Sequence, residues 1–94
     1  MEVDLHIEKL VDSWRNMTNY DMLTLQLDTA RHQLEFAITK GIKRIVFIHG
    51  VGEGVLRSEL ETLFGRYPNV SFYDAEYAKY GTGATEVYIY QKAK

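Results

Sequence analysis

The sequence predicts a two-layer α/β sandwich: a four-stranded mixed sheet built in the order β-α-β-α-β-β, with both helices on one face. Three observations lead there. Two helical periodicities are each preceded by a strand-like segment, and strand–helix–strand units pair their strands in parallel through a crossover. Three of the four strand-like segments alternate apolar and polar residues, and an alternating strand buries only one face of its sheet. The length of 94 residues allows one domain around one modest core.

Val3-Asp4-Leu5-His6-Ile7-Glu8 alternates without a fault and reads as the first strand. Lys9 to Tyr20 breaks that period, and its Trp14 and Met17 are expected to pack a loop or short helix against the body. From about Asp21 to Lys40, Leu23, Leu27, Ala30, Leu34 and Ala37 or Ile38 recur at helical spacing. Asn19 or Asp21 is the expected cap, and Gly41 the stop. Lys43 to His49 contains Ile45-Val46-Phe47-Ile48, too short for a helix and rich in β-branched residues, hence a buried strand. A glycine turn leads into a second helix from Val55 to about Phe64, ended by Gly65 and Pro68. A short strand at Val70 to Tyr73, a polar loop from Asp74 to Gly83 and a last alternating strand, Thr85 to Tyr90, complete the order. The face opposite the helices then carries Asp4, His6, Ser71, Tyr73, Glu86, Tyr88 and Tyr90.

Composition narrows the function. The hydrophobic fraction of 46% and charged fraction of 26% fit a soluble globular chain. No apolar run approaches the ~18–20 residues of a membrane span, so a membrane role is not expected. The acidic start Met1-Glu2-Val3-Asp4 is unlike a signal peptide, and there is no cysteine. Together these favour a cytoplasmic setting. The net charge of −2 argues against strong, non-specific nucleic-acid binding, which draws on a basic surplus.

The most informative stretch is Ile48-His49-Gly50-Val51-Gly52-Glu53-Gly54-Val55-Leu56-Arg57, where three alternate glycines join a strand to a helix. Glycine permits positive φ and close approach to the main chain, and the unpaired N–H groups of a helix start suit an anion. Arg57 lies one turn in, while Glu53 and Glu59 blunt the local positive potential. The stretch is neither a dinucleotide fingerprint, since Val55 stands at the third glycine position, nor a P-loop, since no Gly-Lys-Ser/Thr follows. Asp4 and His6, two apart on a strand, are expected to gather with His49 at the C-terminal edge of the sheet. A carboxylate with imidazoles there can act as acid and base or hold a divalent metal ion. The tyrosines near the C-terminus, Tyr73, Tyr88 and Tyr90 among them, fit a protein interface better than base stacking, because Arg and Lys are not interleaved with them.

Taken together, these segments resemble the small MutS-related (Smr) domain over essentially the whole chain. Val3-Asp4-Leu5-His6 is similar to the family's L-D-L-H-G motif, with Ile7 where the family usually has glycine. His49-Gly50-Val51-Gly52, with Gly54, Leu56 and Arg57, matches its H-G-x-G-x-G-x-L-R signature, and Gly81-Thr82-Gly83-Ala84-Thr85 its final G-x-G-[AV]-T segment. Lys9 to Tyr20 is longer than the family's usual connection. The resemblance implies a fold similar to the C-terminal domain of bacterial translation initiation factor three. It implies DNA or RNA binding, and in several members a nicking endonuclease activity serving DNA repair or RNA processing. By position, Asp4 and His6 fall in the motif implicated in cleavage and His49 in the motif thought to contact nucleic acid, with His6 or His49 expected to shuttle a proton. Gly50, Gly52, Gly54, Arg57, Gly81 and Gly83 fall in segments expected to contact phosphate. Such domains often end larger proteins, so residues 1–94 are expected to be one Smr-like domain from the C-terminus of a longer chain. The alternative is a non-catalytic module whose tyrosine-rich face, through Tyr73, Tyr88 and Tyr90, meets a protein partner or a second copy.

Overall fold

The computed structural model describes residues 1–52 and 54–91. In chain order the elements are β1 (Glu2–Asp4), α1 (Ile7–Leu10), α2 (Asn19–Lys40), β2 (Arg44–Ile48), α3 (Val55–Phe64), β3 (Val70–Asp74), α4 (Tyr77–Tyr80) and β4 (Ala84–Ile89). The strands form a single sheet in the order β1-β2-β4-β3. β1 runs parallel to β2, with Asp4 opposite Ile48. β4 is antiparallel to β2 on one side and to β3 on the other, with Ala84 opposite Ile48 and Thr85 opposite Asp74. This is the mixed four-stranded sheet and two-helix layer expected from the alternation, with one helical turn added in each of two connections.

One strand parity supplies the sheet's half of the core: Val3, Leu5, Ile45, Phe47, Val70, Val87 and Ile89 are buried. The other half comes from α2, through Ala30, Leu34 and Ala37, and from α3, through Leu60 and Phe64. The two alanines let α2 lie close on the sheet. Phe64 bridges the layers, its ring 5.1 Å from that of Phe47 and 5.9 Å from that of Phe72. The opposite parity leaves the second face without a helix layer, and its side chains pair laterally. Tyr73 donates to Glu86 at 3.0 Å, the Tyr88 and Tyr90 rings meet edge to face at 4.9 Å, and Arg44 stands over the Tyr88 ring.

Four local expectations change. The first strand ends at Asp4 rather than Glu8, because β2, its one partner among the described residues, ends at Ile48; the Leu5 N–H to Ile48 carbonyl bond (2.8 Å) lies just beyond that pairing. The chain then turns at His6 into α1, so Ile7 and Glu8 are helical despite their alternation. The cap of α2 is Thr18, not Asn19 or Asp21: its hydroxyl accepts from the Asp21 N–H, and the Asp21 carboxylate accepts from the Thr18 N–H. That reciprocal capping box satisfies two otherwise unpaired donors. Trp14 is exposed rather than packed, whereas Met17 is half-buried. Gly41 closes α2 in the left-handed region, as expected.

Two substitutions separate cap from core. Thr18→Ala should lower the unfolding free energy by about 1 kcal/mol through the lost cap. Leu34→Ala, at a fully buried position, should cost about 2–5 kcal/mol through transfer and cavity terms. Urea titrations read both, and an equal loss at the two sites would contradict the assignment of the core.

Candidate functional site

Where the parallel pair runs out, three glycine-bearing or turning segments converge. Gly50 follows β2 with φ +83°, a conformation that side-chain-bearing residues rarely adopt. The His49 and Gly50 N–H groups both donate to the Gly83 carbonyl at 2.9 Å, which ties the turn after β2 to the turn before β4. A Cβ added to Gly83 would stand 3.3 Å from the Gly50 Cα. On another side, a Cβ added to Gly50 would stand 2.8 Å from the His6 Nε2. Gly50 is therefore held between the His6 ring and the Gly83 backbone: a methyl group at Gly50 would force the His6 ring to shift, and one at Gly83 would press tightly on the Gly50 backbone.

The His6 ring reaches this position because Asp4 holds it. The Asp4 Oδ1 accepts from the His6 main-chain N–H at 3.0 Å and from the His6 ring Nδ1 at 2.7 Å. An ionised carboxylate can only accept, so Nδ1 carries the proton and Nε2 presents a lone pair. Both side chains remain partly open to solvent. Partial desolvation pushes the Asp4 carboxyl up, but the main-chain and ring hydrogen bonds from His6, with the charge of Lys9 and that of the His6 ring when it is protonated, outweigh it, leaving its pKa below the ordinary value.

His49 does not join this pair. It follows Ile48, which lies opposite Asp4, so it falls on the helix side of the sheet. It is only 9% exposed. Its Nδ1 lies 3.0 Å from the Gly50 carbonyl, to which it must donate, and its Nε2 accepts from the buried Thr85 hydroxyl at 3.0 Å. Both ring nitrogens are thus occupied by the fold. Burial pushes the His49 pKa down; the Gly50 carbonyl, Glu61 and Asp74 work against this and Arg57 with it, and the net shift is downward. The gathering of His49 with Asp4 and His6 expected from the sequence gives way to a pair on one side of Gly50 and a buried histidine on the other.

On the helix side of Gly50 lies a cleft of about 490 Å³, walled by the start of α2, by Ile7 and by the first turn of α3. Gly50, Gly52, Gly54 and Arg57 line it. Gly81 and Gly83 are not among its lining residues: Gly81 closes α4, and Gly83 holds the turn after β2. Gly54 caps α3 in the left-handed region (φ +87°), without a side-chain cap and with no acidic residue in the first turn. Arg57 is paired with Asp74 from the end of β3 and with Glu61 one turn on, at 3.5 Å. Its charge is therefore shared rather than free, a partnership invisible in the sequence. Glu53 lies outside the described residues. The sequence reading also missed Tyr20 and Gln26, both on the cleft wall. Gln26 carried a usable signal: it stands one turn from Leu23 on the apolar stripe, and its amide donates to the Leu5 carbonyl at 2.8 Å.

The family model for the Smr domain matches residues 20–90, so Asp4 and His6 precede the matched segment. Endonuclease MutS2 of Clostridium tetani is 32% identical over 80 residues, 84% of this chain and 10% of that protein. Endonuclease MutS2 of Caldicellulosiruptor saccharolyticus is 36% identical over 86 residues, 90% of this chain and 10% of that protein. The chain thus spans about a tenth of the length of these relatives. Among solved structures, the crystal structure of the Smr domain of Thermus thermophilus MutS2 superposes with a TM-score of 0.71 at 30% identity. That match covers 94% of this chain and 95% of the other.

Two measurements test the geometry. Gly50→Ala should destabilise the fold by at least the ~1–2 kcal/mol of a left-handed residue with a side chain. Part of its total cost should vanish in a His6→Ala background, giving a coupling of about 0.5–3 kcal/mol in a double-mutant cycle; strict additivity would refute the contact. For His49, the lowered folded-state pKa means that the unfolded chain binds the proton at higher pH. Stability should then be complete above the unfolded value of about 6.5 and fall as pH drops from there toward the folded pKa. His49→Gln should flatten that slope in urea melts taken across the window.

Proposed function

The chain belongs to the Smr domain family, and from that premise we propose that it binds DNA or RNA and cleaves a phosphodiester beside Gly50, with the Asp4–His6 pair as its acid–base centre. The observation that carries this reading is the His6 ring, oriented by Asp4 and seated on a glycine with its Nε2 lone pair available. An imidazole fixed in this way by a carboxylate has the tautomer that a general base requires.

In this reading the Asp4 carboxylate accepts from Nδ1–H and steadies the imidazolium that forms. His6 Nε2 takes the proton from the attacking water or, in RNA, from the 2′-hydroxyl; as the new P–O bond forms, the bond to the leaving oxygen breaks, and that oxygen takes a proton from the imidazolium or from water. The N–H groups at the start of α3, with Arg57 beside them, contact phosphate. Gly50 supplies the room that brings Nε2 against the main chain. His49 has a structural role, joining Thr85 of β4 to the turn after β2. The donor set does not fit a dedicated divalent-metal cage, because among the described residues no three His, Asp or Glu side chains gather.

The test is a salt-titrated binding and nicking assay on DNA and RNA, comparing the wild type with Asp4→Ala/His6→Ala. Cleavage should fall by about 10²–10⁴-fold, the range for loss of a general base, with binding changed far less. Full nicking activity in the double variant would sink the assignment of the pair. An absence of binding even at low salt would sink the nucleic-acid reading itself.

A further inference from the structure

The cleft on the helix side of Gly50 has a purpose that the Asp4–His6 chemistry does not use. Its walls are largely apolar, with Ile7, Met22, Leu23 and Leu56 among them. Large apolar side chains crowd its mouth: Tyr20 is 76% exposed and Val55 is 56% exposed, and Val51, between two lining glycines, is 74% exposed. Exposed apolar groups gathered around a concavity mark a binding site more often than chance. The polar groups are few and directional: the Asn19 and Gln26 amides, the His49 ring, the uncapped start of α3, and Arg57. Gly52 adds an independent sign. Its φ lies outside the left-handed region and no atom comes within 4 Å of a Cβ built on it, so the fold itself makes no demand for glycine there. What glycine leaves at that point is bare backbone on the wall of the cleft.

We infer that this cleft seats one unpaired nucleobase of the strand whose phosphodiester lies at His6, so that the preferred substrate is single-stranded or locally unpaired nucleic acid. The inference rests on the nucleic-acid reading above and extends it to a substrate class. Continuity is what selects this occupant. The cleft and the His6 Nε2 lie against the same residue, Gly50, separated by the thickness of a glycine backbone. A chain with its phosphate at one therefore has an adjoining nucleotide in reach of the other. The volume lies within the ~300–1,000 Å³ range of small-molecule pockets, and Tyr20 at the lip offers a ring for stacking. The neighbouring phosphate falls at the start of α3, where the first-turn N–H groups have no side-chain cap and no acidic neighbour in that turn. A continuous duplex keeps its bases stacked and offers the cleft nothing.

The experiment measures affinities of the described chain for three fluorescent probes of one sequence: a single strand, a blunt duplex, and the duplex carrying one unpaired nucleotide, each as DNA and RNA. The single-stranded and unpaired probes should bind more tightly than the blunt duplex. Tyr20→Ala should reduce that preference about tenfold, as expected for one lost base-stacking contact. Val55→Asp, which places a negative charge on the same wall, should reduce it too. Trp14→Ala removes an exposed aromatic that is not among the cleft residues and should leave the preference intact. Thermal melts confirm that each variant is folded. Equal affinities for all three probes, with nucleic acid still bound, overturn the inference and spare the general reading. No binding to any probe removes both. A Tyr20→Ala chain that changes from dimer to monomer in sedimentation would assign the cleft to a second copy and overturn the inference.

Discussion

The contact on which the site depends is the close stacking of the His6 ring, the Gly50 backbone and the Gly83 backbone, in which two side chains are missing so that three chain segments can meet. Each layer is supplied by a different part of the sequence. His6 comes just after β1, Gly50 just after β2 and Gly83 just before β4. They converge because β1 and β2 are parallel and β2 and β4 are antiparallel, so that all three loose ends fall at one edge of the sheet. The two hydrogen bonds to the Gly83 carbonyl then fix the turn against which the His6 ring rests. A methyl group at Gly50 would face both a steric conflict with His6 and an unfavourable φ. These two penalties have separate origins, one in packing and one in the backbone.

Gly50 also divides the chemistry. Strand parity sends Asp4 to the sheet face without helices and His49 to the face beneath them. In the partly open pair Asp4 engages one ring nitrogen of His6, whereas both nitrogens of the buried histidine are consumed by Thr85 and Gly50. Three histidines in the sequence look alike as letters. Burial and hydrogen-bond partners, more than residue type, distinguish the histidine that Asp4 holds beside Gly50 from the one that joins two segments of the fold.

The sheet and the two long helices were legible because their signals are periodic and local: alternation in the strands, three-to-four spacing in α2 and α3, and Gly41 as a stop. Apart from the local cap at Thr18, the failures are tertiary in origin. Val3 to Glu8 alternates perfectly, yet a strand exists only where a neighbour can bond to it, and β2 ends opposite Asp4. Thr18 displaced Asn19 and Asp21 as cap because the decisive feature is the reciprocal bond, which needs Thr18 and Asp21 together. At the site, the motifs around Asp4, Gly50 and Gly83 could be read as letters, but not the opposite facing of His49. Nor could the reading find Asp74 as a partner of Arg57, since the two residues meet only after β3 is laid beside α3. Tyr20 escaped for a similar reason: at the edge of an irregular connection, exposure cannot be told from packing.

The acidic balance of the chain bears directly on how such a surface can recognise a polyanion. With a net charge of −2 and Arg57 engaged by two carboxylates, long-range attraction to phosphate is weak. A surface built for counterion release would carry the opposite imbalance. What this one carries is short-range and directional: helix-start N–H groups, an arginine held in place by Asp74 and Glu61, and apolar side chains around a concavity. Contacts of that kind reward shape and penalise a ligand that cannot present an apolar face. In the proposed reading, the same acids would weaken attraction to an uninterrupted duplex backbone and raise the relative weight of stacking and close fit. The proposed selectivity would follow from having little charge to offer every phosphate alike.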